Sequence, residues 1–529
     1  MIFSSYSFLI LFLPLALLSV AVVRRIGGLR AALGALLVTS LLYYVSASTD
    51  HPWQELLLVI CGSIGFNHLI GRIVMPGQFL HPVRKSLLIV GIAINLLVLC
   101  WYKYAGFLGE NLLLLAEYSG MTPSGELIAR VDGLGQMTLL TGISFFTFQQ
   151  IAYLVDAFRG QTKGHGFLEY ALFVMYFPQM VAGPIVHHTE VLPQWSHPDA
   201  LRLKSRELFV GLTMFTIGLA KKVLLADTLS PCVGTTFGMI ESSPNELAFC
   251  EAWIGAIAYT LQLYFDFSGY SDMAIGLARM IGIKLPANFD SPYQATSIID
   301  FWRRWHITLS RFLRDYLYIP LGGNQKGSVR RYVNLMLTMI LGGLWHGAGW
   351  NFLFWGFLHG FYLCINHGWS RIRGVSPGAR PKTWFGKISA RGLTFVAVVV
   401  GWVFFRAQSF PASLGMLSSM AGVNGLYRVA RLDSGLPLTH VQRLFGSFEV
   451  GQIALITTLL AVVWLLPNSQ QQLRRHRPVL GPRPIAPAVD VFGWLTWRPI
   501  PLHALTLAVM MVASVMMLSR GTEFIYYNF

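Results

Sequence analysis

The apolar residues of this chain come in lengths that a lipid bilayer sets. Runs of about 20 apolar residues match a hydrocarbon core about 30 Å thick at about 1.5 Å per helical residue. Such runs recur at 7–23, 31–48, 54–74, 86–102, 137–155, 167–186, 448–466 and 503–519, with further runs broken by polar residues between 205 and 410. Charged residues are 12% of the chain, about half their share in an ordinary soluble domain. No period-two alternation, internal repeat or low-complexity linker stands out. These features predict an all-α polytopic membrane protein in which residues 1–529 form a single integral membrane domain.

Charge placement supplies orientation. The net charge of +16 invites a nucleic-acid partner, but the basic residues lie in short loops between apolar runs, as the positive-inside rule expects, and no nucleic acid is expected to bind. Arg24, Arg25 and Arg30 lie in the first loop and Asp50 and His51 in the second; Arg72, Arg84 and Lys85 follow in the third. The fourth, 103–136, carries Glu110, Glu117, Glu126 and Asp132 against Lys103 and Arg130, and Arg159 and Lys163 occupy the fifth. Loops 368–391 and 468–500 are again basic, which leaves the C-terminal "FIYYNF" on the outer side. Arg24 and Arg25 follow the first run instead of preceding it, so that run is expected to be a retained span and not a cleaved signal. The five scattered cysteines show neither CxxC nor metal spacing, and most lie in apolar runs and read as small core residues.

Three polar stretches break the apolar pattern. "FWRRWHITLSRFLRDYLYIPLGGNQKGSVRR", residues 301–331, holds seven Arg or Lys against one acid. On one helix, Phe301, Trp305, Leu309 and Phe312 share a face, the pattern of a helix at the cytoplasmic headgroups. Its arginines fit lipid anchoring, and they equally fit an anionic ligand whose phosphates suit guanidinium forks. His306 stands four residues before Ser310 on the same helical face, as a capping or snorkelling residue or as a functional one.

The second stretch, Tyr332 to His367, has basic segments on both sides and should therefore cross an even number of times. At about 1.5 Å per residue it reaches about 54 Å, enough for two legs, with His346 about 21 Å along the first. An ionisable ring at that depth is costly if charged, so it should be neutral and face protein or a cavity. The glycines of "LGGLWHGAGWNF" allow close backbone approach or a broken helix; the alternative is a structural histidine hydrogen-bonded between helices. The third stretch, "YFDFSGYSDMAIG" (264–276), carries Asp266, Ser268, Ser271 and Asp272. Its two acids need partners, with arginines of 301–331 or elsewhere in the bundle as candidates. Their six-residue spacing, and the lack of i, i+3 or i, i+4 pairing among His346, His359 and His367, argue against a metal.

"YFDFSGYSDMAIGLARMIGIKLPANFDSPY", "FWRRWHITLSRFLRDYLYIPLGGN" and "LGGLWHGAGWNFLFWGFLHG" together resemble the alginate O-acetyltransferase branch of the membrane-bound O-acyltransferase family. "GISFFTFQQIAYLVDAFRG", "YFPQMVAGPIV" and the opening "MIFSSYSFLILFLPL" extend the resemblance over nearly the whole chain, with divergent stretches at 103–136 and 408–500. The resemblance implies a ring of about 11 or more transmembrane helices, with re-entrant and interfacial helices around a thinned centre and a central tunnel. It maps the family's essential histidine onto His346 and a second one onto His306. It implies transfer of an acetyl group from a cytoplasmic thioester, acetyl-CoA or another, towards an extracytoplasmic polysaccharide such as alginate. Periplasmic acetyltransferase or esterase-like partners would complete esterification within a polysaccharide synthesis and export complex at the bacterial inner membrane.

Residue chemistry agrees. A thioester is already activated, so the catalyst chiefly has to remove a proton from an attacking hydroxyl, a task for neutral imidazole worth about 10² to 10⁴ in rate; a transient acyl-imidazole is an alternative. His346 is the expected general base, His306 the donor-positioning or proton-relay residue, and Trp345 and Trp350 the tunnel walls. Arg303 and Arg304 are expected to attract donor phosphates, while Asn351, Asp266 and Ser268 complete the expected substrate-binding set. Neither a tightly bound cofactor nor a metal is expected. Two rival readings stay open: D-alanyl or other acyl transfer to a cell-envelope polymer, and a transporter or scaffold that moves finished polysaccharide.

Overall fold

The computed structural model describes residues 1–48, 52–135, 139–162, 164–243, 247–426, 448, 450–481, 493, 495–520 and 524–525. Among these there is no strand, only an isolated bridge between Pro286 and Leu480. Among the described residues, five helical runs are long and apolar enough to cross a membrane: Ser7–Ala47, Trp53–Ile73, His81–Lys103, Ser205–Ser242 and Trp384–Arg406. Asp50 and His51 lie outside the described residues.

The first two apolar runs form one continuous element, α1 (Leu13–Ala47), folded back on itself at Gly28, whose φ of 78° belongs to the region glycine reaches without strain. The reversal brings Phe3, Phe8 and Phe12 onto Tyr43 at 5.4, 5.8 and 5.5 Å. The expected first loop is thus a single-residue turn, with Arg24 donating to the carbonyls of Ala200 and Pro198. Helices α2 (Trp53–Ile73) and α3 (His81–Lys103) follow as a hairpin. Asn67 and Asn95 exchange amide hydrogen bonds of 3.1 and 2.6 Å across it, polar glue between spans. The acidic fourth loop folds into two short helices, α4 (Ala105–Tyr118) and α5 (Gly125–Gly135).

Two expected spans are corrected. Within the run 137–155, residues 139–142 are non-helical and the helix starts at Ile143, giving α6 (Ile143–Phe158). The run 167–186 is no span: α7 (Phe167–Met175) stops after nine residues, and the chain continues buried but non-helical to α8 (His188–Trp195). Irregular backbone survives at such depth only inside protein. Here Ser40 and Thr308 hydroxyls accept from the amides of Phe177 and Ile185.

Helices α9 (Ser205–Ala220) and α10 (Asp227–Ser242) run on through a π-helical turn at Lys221–Ala226. They pack on α11 (Phe249–Met280), buried over nearly its whole length. A Cβ added at Gly218 would stand 2.5 Å from the Gly269 carbonyl, so these backbones touch directly. The expected amphipathic helix of 301–331 is broken instead into α12 (Ile298–Trp302), α13 (Ile307–Leu313) and a π turn at Arg314–Tyr318. Phe301, Trp305, Leu309 and Phe312 are nonetheless all buried. Then come the hairpin α14 (Gly327–His346) and α15 (Trp350–Ile372), α16 (Trp384–Arg406), α17 (Phe410–Met420), and the helices Val450–Leu465 and Pro501–Met517.

The basic loops gather on one face: Gln194 reaches Lys284, Glu207 pairs with Arg279 at 2.7 Å, and Arg279 reaches the His476 carbonyl. On the opposite face Glu241 accepts from the Gln408 amide at 2.6 Å, and Trp253 donates to the Met420 carbonyl. Of the cysteines only Cys232 is buried, and Cys61 is exposed on the helix surface, so the core-cysteine expectation holds for one of five.

Candidate active site

His346 is the last residue of α14, and the chain then reverses through a tight turn at Ala348, between extended Gly347 and Gly349, before α15 begins. The even number of crossings expected for this stretch is a helical hairpin. Its glycines serve contact, not flexibility: a Cβ at Gly343 would lie 2.2 Å from the Phe352 carbonyl oxygen, and one at Gly356 2.3 Å from that of Met339. The two backbones therefore approach until no side chain fits between them, and that approach places His346 at the tip. Its imidazole is 3% exposed. It is boxed by Trp345, Trp355 and Phe405 at centroid distances of 4.9, 5.1 and 5.2 Å.

His306 is not within a helix, as the spacing to Ser310 suggested. It sits at the N-cap of α13 with φ 42° and ψ 54°, a left-handed conformation that costs a non-glycine residue about 1–2 kcal/mol. Its ring is fully buried, 6.4 Å from that of His346. Asn288 Oδ1 lies 3.0 Å from His306 Nδ1 and 3.0 Å from the Thr308 hydroxyl that donates to it, while the Asn288 amide nitrogen donates to Ser271. Because that oxygen only accepts, the hydrogen of His306 sits on Nδ1, and Nε2 carries the lone pair.

Two cavities approach this pair from opposite faces. On the face opposite the basic loops, a cavity of about 750 Å³ is walled by Glu110, Gln262, Ala348, Trp350, Asn351 and Phe405 among others. On the basic face, one of about 220 Å³ is walled by Gln149, His187, Thr308, Arg311, Phe312 and Tyr316 among others. Neither wall includes the imidazole of His346 or of His306. An aromatic stack lies between: Phe312 on Phe148 at 4.2 Å, and Phe148 on Trp345 at 5.2 Å. The Trp345 ring reaches both histidines.

The remaining expected residues divide. Trp350, 61% exposed and donating to Asn111, and Asn351, donating to the Ala407 carbonyl at 2.7 Å, both line the outer cavity. Trp345 is buried in the aromatic stack. Arg303 is exposed and Arg304 pairs with Asp300 at 2.9 Å; neither lines the basic-face cavity, where Arg311 stands instead, held by Glu190 through two bonds of 2.6 and 2.8 Å. The partners of the two acids are lysines, not arginines. Lys222 lies 2.7 Å from both Asp266 and Asp227, and Lys221 lies 2.6 Å from Asp272. Asp266 also accepts from the Ile525 amide, so the start of "FIYYNF" folds inward, while 526–529 lie outside the described residues. Ser268 is buried on α11 and lines neither cavity.

Sequence reasoning missed Lys103. Counted as a loop charge, it is the last residue of α3. Its ammonium donates to the carbonyls of Trp345 and His346 and, at 3.2 Å, to Ser144. A cation at the C-terminal end of α14 satisfies carbonyls that have no helical donor. Asn288 was missed as well; its place within "LPANFD" offered no signal.

Residues 121–405 match the family model of the membrane-bound O-acyltransferases, and the chain belongs to that family: it is a multi-pass membrane O-acyltransferase. It is 35% identical to a protein named as a probable alginate O-acetylase from Pseudomonas aeruginosa, and 36% identical to one of the same name from Pseudomonas putida, both over 100% of each chain. It is 39% identical to a peptidoglycan O-acetyltransferase of Helicobacter pylori over 74% of each chain.

Proposed function

We propose that this chain is an inner-membrane O-acetyltransferase that receives acetyl from a cytoplasmic thioester, with acetyl-CoA as a fitting donor, and delivers it for O-acetylation of an extracytoplasmic polysaccharide. The observation that carries the reading is the pair of buried imidazoles at the waist between two cavities that open to opposite faces. The names of the relatives support a polysaccharide acceptor, alginate or another. The concentration of positive charge on one face supports its assignment to the cytoplasm.

In this mechanism the acceptor hydroxyl enters by the larger cavity, past Trp350 and Asn351. His346 takes the hydroxyl proton as its oxygen bonds to the thioester carbonyl carbon. The carbon–sulfur bond then breaks, and the thiolate leaves towards the basic face with the proton returned from the imidazolium. His306, fixed in one tautomer by Asn288, presents Nε2 as a proton relay. Rotation of the Trp345, Phe148 and Phe312 rings opens the passage that joins the two cavities. Periplasmic acetyltransferase or esterase-like proteins and the polysaccharide export machinery are the proposed partners.

The deciding experiment is His346→Gln in a cell that makes the polymer, with membrane insertion verified. Ester-linked acetyl is expected to vanish from polysaccharide that is still exported. Retained acetylation refutes the base role, blocked export points to a transporter, and loss of ester-linked D-alanine instead of acetyl points to the alternative acyl group.

A further inference from the structure

The buried non-helical segment after α7 ends on two consecutive histidines, and what they meet is not explained by hydrogen bonding alone. His187 Nε2, the Tyr316 hydroxyl oxygen and Asp156 Oδ2 form a closed triangle with every edge 2.6 Å. Neutral imidazole and phenol bring at most two hydrogens to these three edges. With both directed at the carboxylate, the third edge presses the histidine nitrogen against the tyrosine oxygen, closer than the 2.7 to 3.2 Å usual for N–H···O bonds. A second nitrogen, His188 Nδ1, lies 3.5 Å from the same carboxylate oxygen. Asp156 and His188 are 1% and 2% exposed, and among the described residues the one permanent cation beside the carboxylate, Arg159, is 3.9 Å away on a side chain 40% exposed.

One added positive ion relieves all of this. The ligating atoms of Asp156, His187 and His188 lie within 4.8 Å of one another, close enough for small side-chain shifts to bring all three onto one ion. We propose that Asp156, His187 and His188, with the Tyr316 oxygen beside them, form a binding site for a divalent transition metal, zinc being favoured by the two-nitrogen, carboxylate donor set. His187 is prepared for this role. Its other ring nitrogen lies 2.6 Å from the Thr189 hydroxyl and accepts from the Thr189 amide at 3.4 Å; on binding an ion the ring takes the other tautomer, giving up that amide bond and donating from Nδ1 to the hydroxyl, which frees Nε2 as a ligand.

The four residues come from α6, the start of α8 and the π turn after α13, and His187 and Tyr316 also wall the basic-face cavity. The ion would pin the end of the irregular segment to that wall. No local pattern in the sequence marks the site, because its residues are spread from 156 to 316 and only the histidines are adjacent.

The test uses full-length, chelator-stripped protein in detergent without a histidine tag. Zinc uptake is measured by elemental analysis and by the shift in thermal unfolding on adding ZnCl₂. Wild type is expected to retain close to one equivalent and to unfold at higher temperature with zinc. His187→Gln and Asp156→Asn are expected to lose affinity by at least about tenfold, the low end of what even an outer-shell partner costs a metal. His197→Gln, at an exposed position on the same face, should bind as wild type does. No uptake by wild type overturns the proposal, and so does equal uptake by His187→Gln, which reads as adventitious binding. Should Asp156→Asn fail to fold, the His187→Gln comparison alone decides.

Discussion

Replacing Lys103 by Met separates catalysis from stability. The ammonium donates to the last carbonyls of α14 and to Ser144, inside protein, and no carboxylate among the described residues pairs with it. Removing it leaves the Trp345 and His346 carbonyls without that donor, a cost of about 1–3 kcal/mol each. It also removes the burial of a charge, which costs several kcal/mol on its own. The two effects oppose, so the melting temperature should move little, in either direction. Activity should not be spared. The carbonyls that Lys103 holds belong to the hairpin tip that aims the His346 ring, and a displacement of about 1 Å in a reacting group costs about 10²-fold. The assay is acyl transfer in proteoliposomes beside thermal unfolding in detergent. Activity within a factor of about two of wild type, at unchanged stability, refutes the claim that Lys103 positions His346; Lys103→Arg should recover part of the loss.

Gly343→Ala puts a methyl 2.2 Å from a backbone oxygen and should cost at least about 3 kcal/mol, upper range for overpacking. Gly349→Ala, whose nearest neighbour would be 3.6 Å away, should be close to neutral; denaturation of the pair compares them directly. Asn288→Leu should lower turnover through His306, so in a His306→Gln background it should add little. Additive losses in that double-mutant cycle refute the coupling. Arg304→Gln, which breaks a partly buried pair with Asp300, should lower stability by about 1 kcal/mol, whereas Arg303→Gln should leave stability alone and raise the KM for donor. An unchanged donor dependence in Arg303→Gln rejects phosphate attraction at that residue.

What the sequence determined by itself follows from physics that acts along the chain. A bilayer sets run length, so the spans of α2 and α3 were legible to within a few residues. Charge is expensive in lipid, so basic and acidic loops sort to opposite faces. The depth of His346 and the two legs around it follow from 36 residues between basic segments. Tertiary structure decided whatever depends on a partner distant in sequence. The run 167–186 is apolar enough for a helix, yet its helix stops at Met175, just before Phe177–Pro178, and the irregular backbone beyond stays buried because Ser40 and Thr308 satisfy its Phe177 and Ile185 amides. Asp266 and Asp272 announced a need for cations, and packing chose Lys222 and Lys221 over any arginine of 301–331. Lys103 looked like a loop charge and lies 243 residues from the carbonyl it holds. A buried polar group must be satisfied, which residue type alone reveals; which group satisfies it depends on how segments far apart in the chain pack, and no local pattern carries that.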